Sequence, residues 1–169
     1  MSVDVTISGF DELIQELKSA PEELSARVAE RARPLAEGIA GAARLGAPVR
    51  EGRLRNSIES FVEQEGTSIR GGARTSYPPA IYHEFGTGPV GSAHPHPADG
   101  ALGIKRRPDG WVYWSEGAAE NRPPDKDGNP DGWVYTKGVP AKAFMYNAMT
   151  AYEKRIADEL GAAVEEVFK

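Results

Sequence analysis

Chemistry in this chain has to come from a short list of side chains. Three histidines and no cysteine occur among its 169 residues, so disulfides, thiolate zinc sites, iron–sulfur ligation and cysteine nucleophiles are excluded together. His83-Glu84 opens like the helix of a zinc protease. That motif needs a second histidine four residues on, to close the metal site on one helical face, and the position is Thr87. His94-Pro95-His96 sets two imidazoles on the same side of an extended segment. With His83 or Asp99 they could hold a divalent ion, the basis of a rival reading as a metal-dependent hydrolase or nuclease. The simpler reading, which we adopt, is a polar loop beside prolines whose histidines are dispensable for folding and assembly. Neither a metal nor a cofactor is expected.

Other catalytic constellations are missing. There is no Gly-x-Ser-x-Gly elbow and no phosphate-cradling glycine loop followed by Lys-Ser or Lys-Thr. Carboxylates are plentiful but fall mostly on solvated helix faces, and no pair stands apart for acid–base work. Two basic clusters exist, Lys105-Arg106-Arg107 and the arginines 50, 53 and 55. Phosphate contact is one reading of them; an exposed loop or an inter-subunit salt bridge is the favoured one. Gly71-Gly72 sits in an expected strand pair, where a bulge or close backbone approach accounts for it.

The aromatic residues are more informative. Pro108-Asp109-Gly110-Trp111-Val112-Tyr113 recurs as Pro130-Asp131-Gly132-Trp133-Val134-Tyr135. Each copy is a Pro-Asp-Gly turn followed by strong β-formers, so the pair reads as a long hairpin. Two copies are too few for a solenoid. Trp111, Tyr113, Trp114, Trp133 and Tyr135 would then either pack on the core or form an apolar patch for a partner, and the hairpin edges offer amides for sheet extension by a neighbour.

The elements that must carry these residues follow from periodicity. Val3, Val5 and Ile7 alternate as a short strand, and Phe10, Leu13, Ile14 and Leu17 follow at helical spacing. A second helix begins at Pro21, with a stripe of Leu24, Val28, Leu35, Ile39 and Ala42. Pro34 is expected to kink or split it, and it should fail by Gly46-Ala47-Pro48. Ser60 to Glu65 and Thr67 to Ala73 flank Gly66 as a hairpin. Ala80 to Phe85 reads as one helical turn closed by Gly86, and Gly88 to Gly103 as loop. Phe144, Ala148, Tyr152, Ile156, Leu160, Val164 and Phe168 define a long final helix, with Pro140 before it as a start signal.

Composition bounds the rest. With 40% hydrophobic and 27% charged residues, the chain can bury a core without staples. Its net charge of −5 opposes non-specific binding to nucleic acid. No run approaches the length of a membrane span and the first residues do not resemble a secretion signal. A protein made and kept in the cytosol is expected, unless an assembly carries it elsewhere.

Three ordered segments resemble a known family. Gly52-Arg53-Leu54-Arg55-Asn56-Ser57-Ile58 is similar to its "threonine-glycine-x-leucine-arginine-x-serine-isoleucine" signature, with Glu51 in place of the threonine. Tyr82-His83-Glu84-Phe85-Gly86-Thr87-Gly88 resembles the "tyrosine-x-glutamate-phenylalanine-glycine-threonine" block. Pro140 to Met149 is similar to the closing "proline-x-x-proline-phenylalanine-leucine-x-x-alanine" element, with Ala143 where proline is frequent. Together they mark the gene-product-ten-like head–tail morphogenesis proteins of tailed bacteriophages and prophages, over about residues 10 to 165. The excursion from Gly91 to Lys137, with its duplication, is longer than the family pattern.

The resemblance implies a structural virion protein of the neck or tail end, without enzymatic activity. It implies a homo-oligomeric ring of six around the DNA channel, contacts to other neck and tail proteins, and no membrane partner. Assembly in the host cytoplasm and residence at the head–tail junction follow from it. The expected architecture is α+β: a small antiparallel sheet packed by N-terminal helices and a long C-terminal helix, with a protruding β-hairpin. One domain, 1–169, carries an inserted loop and hairpin at about 89–138. Expected interface residues are Arg53, Arg55, Glu84 and Phe85 with the hairpin aromatics, although Glu84 and Phe85 fit an intramolecular role equally and Phe85 fits the core better. A rival from a third class is a host-encoded protein-binding module.

Overall fold

The computed structural model describes residues 22–50, 52–66, 68–114 and 133–167. The strand expected over Val3–Ile7 and the helix from Phe10 to Leu17 lie outside the described residues. Helix α1 spans Glu22–Gly46, followed by the single turn α2, Arg53–Asn56. Strands β1 (Ile58–Glu65) and β2 (Ser68–Thr75) come next, then the short helices α3 (Ala80–Phe85), α4 (Gly88–Ala93) and α5 (Asp99–Leu102). Strands β3 (Trp111–Trp114) and β4 (Trp133–Thr136) precede the closing helix α6, Phe144–Val167. The architecture is α+β. The described chain divides into two compact units, 22–84 with 142–167, and 85–114 with 133–141.

In the first unit, α1 buries Leu24, Val28, Ala32, Leu35, Ala36, Ile39, Ala40 and Ala43, a full apolar face at helical spacing. The helix ends at Gly46, and one further bond, Ala47 N–H to the Ala43 carbonyl at 2.9 Å, closes its last turn. Pro34 neither ends nor splits it: α1 runs through unbroken, correcting the expectation from sequence. The physical reason is position. Pro34 and Glu30, whose carbonyl loses its amide partner, are both on the exposed side, where water can take the lost bond.

Helix α6 runs antiparallel to α1. Phe144 lies against Gly46, the Tyr152 ring lies over Gly38, and Arg31 pairs with Glu159 and Glu166 at the other end. Its inner stripe is the predicted one: Phe144, Ala148, Ile156 and Leu160 are buried, and Tyr152 and Val164 pack against the core. Phe168 lies outside the described residues.

β1 and β2 pair antiparallel in continuous register from Ile58↔Thr75 to Glu65↔Ser68, so Gly71 and Gly72 mark no bulge. Period-two alternation turns Ile58, Ile69, Gly71, Ala73 and Thr75 into the interior against α1. On the other face Phe61 lies under the Arg74 guanidinium, 5.3 Å from the ring centroid, while Arg74 pairs with Glu63 at 2.7 Å.

The second unit differs more from expectation. Gly88 to Gly103, expected as loop, holds α4 and α5. Gly91 N–H reaches the Thr87 carbonyl at 2.9 Å and His94 N–H the Val90 carbonyl at 3.0 Å. These turns bury almost no side chain, so no apolar periodicity announces them. β3 and β4 form the hairpin expected from the duplication, with Val112↔Tyr135 and Tyr113↔Val134 in register.

Candidate functional site: motif residues and exposed aromatics

Five residues of the first motif block, Gly52, Leu54, Arg55, Ser57 and Ile58, have structural tasks in the first unit. Gly52 begins α2 at φ 76°, a conformation other residues rarely adopt. Leu54 and Ile58 are buried. Arg55 Nε donates to the Arg44 carbonyl at 3.1 Å, satisfying one of the orphan carbonyls at the end of α1. Arg44 in turn donates twice to the Ile58 carbonyl, at 3.0 and 2.7 Å, fixing the start of β1. Ser57 Oγ donates to the Leu54 carbonyl at 2.8 Å and shares a hydrogen bond with Thr75 Oγ1 at 2.7 Å. Arg53 is exposed.

Glu84 has the most constrained environment. Its side chain is 1% exposed. Oε2 accepts the Met145 amide at 2.9 Å and Oε1 the Tyr146 amide at 3.0 Å. Both belong to the first turn of α6, whose leading amides have no carbonyl partner within the helix. The residue ahead of that helix is Ala143, which carries no capping oxygen, so Glu84 does the work of a serine or aspartate cap from a distance. A negative charge at a helix N-terminus is also favoured by the helix dipole. The backbone reinforces the contact: Lys142 N–H donates to the His83 carbonyl at 2.8 Å and Ala143 N–H to that of Glu84 at 3.1 Å. The second and third motif blocks therefore meet at Glu84 and Met145.

In the second unit, the Gly86-Thr87-Gly88 turn lies backbone to backbone against Lys137–Ala141. Thr87 N–H donates to the Val139 carbonyl at 2.9 Å, and Val139 N–H to Thr87 Oγ1 at 3.2 Å. Gly86 has φ +73°, and a Cβ there would sit 2.6 Å from the Ala141 nitrogen. Nothing larger than hydrogen fits. Arg106 locks the turn from its other side. Nη1 and Nη2 hold the Asp99 carboxylate at 2.8 and 2.7 Å, and Nε and Nη2 donate to the Phe85 carbonyl. The guanidinium holds the Asp99 carboxyl below its usual range, chiefly through these hydrogen bonds. Sequence reasoning missed this residue. Its place in a Lys-Arg-Arg run suggested solvent or phosphate, yet its side chain is 6% exposed and spent on an internal fork.

The histidines separate. His94 is exposed, but His96 is buried, correcting the polar-loop reading. Its ring lies 4.9 Å from the half-buried Phe85 ring, and its Nδ1 accepts the Ala98 amide at 3.0 Å. His83 is half-buried; burial, and then the neighbouring Lys142 charge, lower its pKa. Among the described residues no group of three His, Asp or Glu side chains could hold a metal ion. No described helix is long and apolar enough to cross a membrane.

Of the hairpin aromatics, Tyr113, Trp114 and Tyr135 stay largely in solvent. Val112, Trp114 and Tyr135 are 49%, 56% and 53% exposed, Tyr113 is exposed, and Trp111 is half-buried with its ring against Gly88. β4 opens at Trp133. Among the described side chains, Val112, Tyr113, Trp114 and Tyr135 are no part of the buried core.

The motif residues thus build a scaffold, and comparison with known families places that scaffold. Residues 11–86 match the HK97-gp10-like model, described as "Bacteriophage HK97-gp10, putative tail-component". This stretch is gp10-like. The match takes in α1, the β1–β2 hairpin and Glu84, and agrees with the family that the three motif blocks indicate. A phage tail component is a structural class and not an enzyme class. No curated protein and no solved structure matches the chain.

Proposed function

We propose that the chain is a structural virion protein at the head–tail junction of a tailed phage, a connector or tail-completion subunit joining neck to tail tube as a ring of six around the DNA channel. The gp10-like match over 11–86 carries this reading. It is supported by what the motif residues do. Gly52, Leu54, Arg55, Ser57, Glu84 and Gly86 cap helices, fill the core and fix turns. Such a subunit works by shape and contact, without making or breaking bonds, and resides in the virion after assembly in the host cytoplasm.

Charge fits the position. A subunit of net charge −5, repeated around a ring, makes a channel that duplex DNA crosses without adhering. Other neck and tail proteins are its remaining partners. The deciding experiment is a density map of the intact particle with mass spectrometry of its proteins. A ring of this chain between capsid and tail is expected; particles whose junction lacks it would overturn the reading. Strong, salt-dependent binding of the purified protein to duplex DNA would contradict the channel.

A further inference from the structure

Gly88 and Gly138 are far apart in sequence and side by side in the second unit. A Cβ on Gly138 would fall against the Thr87 carbonyl oxygen and 3.0 Å from the Gly88 nitrogen; one on Gly88 would lie 3.1 Å from the Lys137 carbonyl carbon. Their flanks already pair as the arms of a hairpin. Thr87 is extended, at φ −138° and ψ 154°. Its N–H donates to the Val139 carbonyl at 2.9 Å, one of the two bonds that residues flanking a two-residue hairpin turn exchange. The glycines have φ +60° and +95°. A type I′ turn takes about +60° at its first central residue and about +90° at its second. The local element does not account for Gly88, since the first residue of a helix such as α4 is ordinarily near −63°.

We infer that residues 89–137 are an insertion at the central peptide bond of a type I′ Gly-Gly turn, Thr87-Gly88 and Gly138-Val139 being its two halves, and that the scaffold outside them is complete without them. The second point has its own support. Among the described residues, every member of the buried apolar cluster, from Leu24 to Ala163, belongs to 22–84 or 142–167, as do the half-buried side chains packed against it. The inference does not depend on the ring reading. It makes assembly through the gp10-like scaffold and any contact of the inserted stretch separable properties of the chain.

Thr87 shows how the opened turn stays paired. In a closed turn its carbonyl would accept the Val139 amide. Here that carbonyl accepts the Gly91 amide at 2.9 Å, and Val139 N–H donates to Thr87 Oγ1 at 3.2 Å instead. The hydroxyl thus replaces the bond that the insertion diverts.

Native-state hydrogen exchange tests the full-length protein. The amides of Gly91, His94 and Ala141 have bonds that lie in or end on the inserted stretch, whereas Thr87 bonds to Val139 across the turn. Thr87 should be at least tenfold more protected than the other three, and equal protection would overturn the insertion. A shortened chain joining Gly88 directly to Gly138 is the second measurement. It forfeits the Arg106 and His96 contacts to Phe85, so its urea midpoint should fall below that of the full chain while the transition stays cooperative. A shortened chain that does not fold would overturn the inference. Within it, Gly88→Asn should be tolerated and Gly88→Val should lower the midpoint, because a β-branched residue resists positive φ. Equal midpoints would exclude the type I′ joint. Thr87→Val should lower the midpoint of the full-length chain and leave that of the shortened chain unchanged; the same loss in both would show that the turn does not close.

Discussion

Glu84 Oε2 accepts the Met145 amide hydrogen at 2.9 Å across 61 positions of sequence. A buried carboxylate is costly unless fully partnered, and here its partners are amides that would otherwise be orphaned at the start of α6. Two liabilities cancel in one contact. The relationship fixes where the longest element of the C-terminal half begins, and with it the register of α6 along α1.

Replacing Glu84 with Gln is expected to destabilise the protein by about 1–3 kcal/mol, since the amide nitrogen turns a donor toward a backbone donor. Glu84→Ala leaves both first-turn amides unpaired beside a cavity, and should cost at least as much. Urea unfolding followed by circular dichroism gives the values. A loss below about 0.5 kcal/mol for both variants would mean that water caps α6 as well as Glu84 does.

How much of this was legible beforehand varies with the physics. α1, α6 and both hairpins were readable, because their signals are local: Leu24 to Ile39 at helical spacing, Gly66 between alternating runs, the repeated Trp-Val-Tyr. The role of Glu84 was not, because a cap supplied from afar cannot be seen until the start of α6 is known. One signal existed: Ala143 ahead of that helix has no capping oxygen, so some other group must serve. Arg106 and His96 were misjudged for a related reason. Both sit in polar company in sequence, and their partners, the Phe85 ring and carbonyl and the Asp99 carboxylate, come from turns that few apolar side chains announce.

Gly86 and Gly103 make a controlled pair. Both adopt positive φ, +73° and +60°, but a Cβ at Gly86 would strike backbone at 2.6 Å, whereas Gly103 has nothing within 4 Å. Gly103→Ala should cost about 1 kcal/mol, the penalty of the left-handed conformation. Gly86→Ala should add the steric cost, for a total of roughly 2–5 kcal/mol. Equal losses in chemical denaturation would show that the backbone opposite Gly86 yields freely.

His83 gives the first unit a pH dependence of definite sign. Burial, and then Lys142, lower its folded-state pKa below the unfolded value of about 6.5. Above that value the imidazole is neutral in both states and contributes nothing. As pH falls below it, the unfolded chain takes up a proton that the folded chain resists, and stability declines until the folded pKa is passed. The urea midpoint of the wild-type protein should therefore drop below about pH 6.5 more steeply than that of His83→Gln. Parallel curves would remove His83 as the source. Asp99 acts in the other acidic window: held down by Arg106, it supports the second unit above the ordinary aspartate range and loses that contribution as pH falls through its depressed folded value.

Pro34 should be dispensable. It lies within an unbroken α1 on the exposed side, where its ring withholds one amide and returns no packing. Pro34→Ala restores a bond to the Glu30 carbonyl and removes the ring's pressure on the preceding turn. A gain of about 1–3 kcal/mol is expected, reduced by the greater freedom of the unfolded chain. Thermal and urea unfolding test it, and a loss of stability would mean that the proline sets a bend on which α1 packing depends.

Ala143 closes the account of α6. Its φ is +47°, the one positive value among the described non-glycine residues. Its N–H donates to the Glu84 carbonyl at 3.1 Å and its carbonyl accepts the Asn147 amide at 2.8 Å, the first bond of the helix. Proline, frequent at the matching place of the gp10-like motif, cannot stand here: its ring locks φ near −65° and it has no N–H to give. Ala143→Pro should therefore displace the start of α6 from Glu84 and cost about 3 kcal/mol or more. Ala143→Gly relieves the left-handed strain but frees the unfolded chain and empties a buried methyl site, so its net effect should stay within about 1 kcal/mol. A stable proline variant would show that the helix can begin in a second way, with a backbone path closer to the common motif.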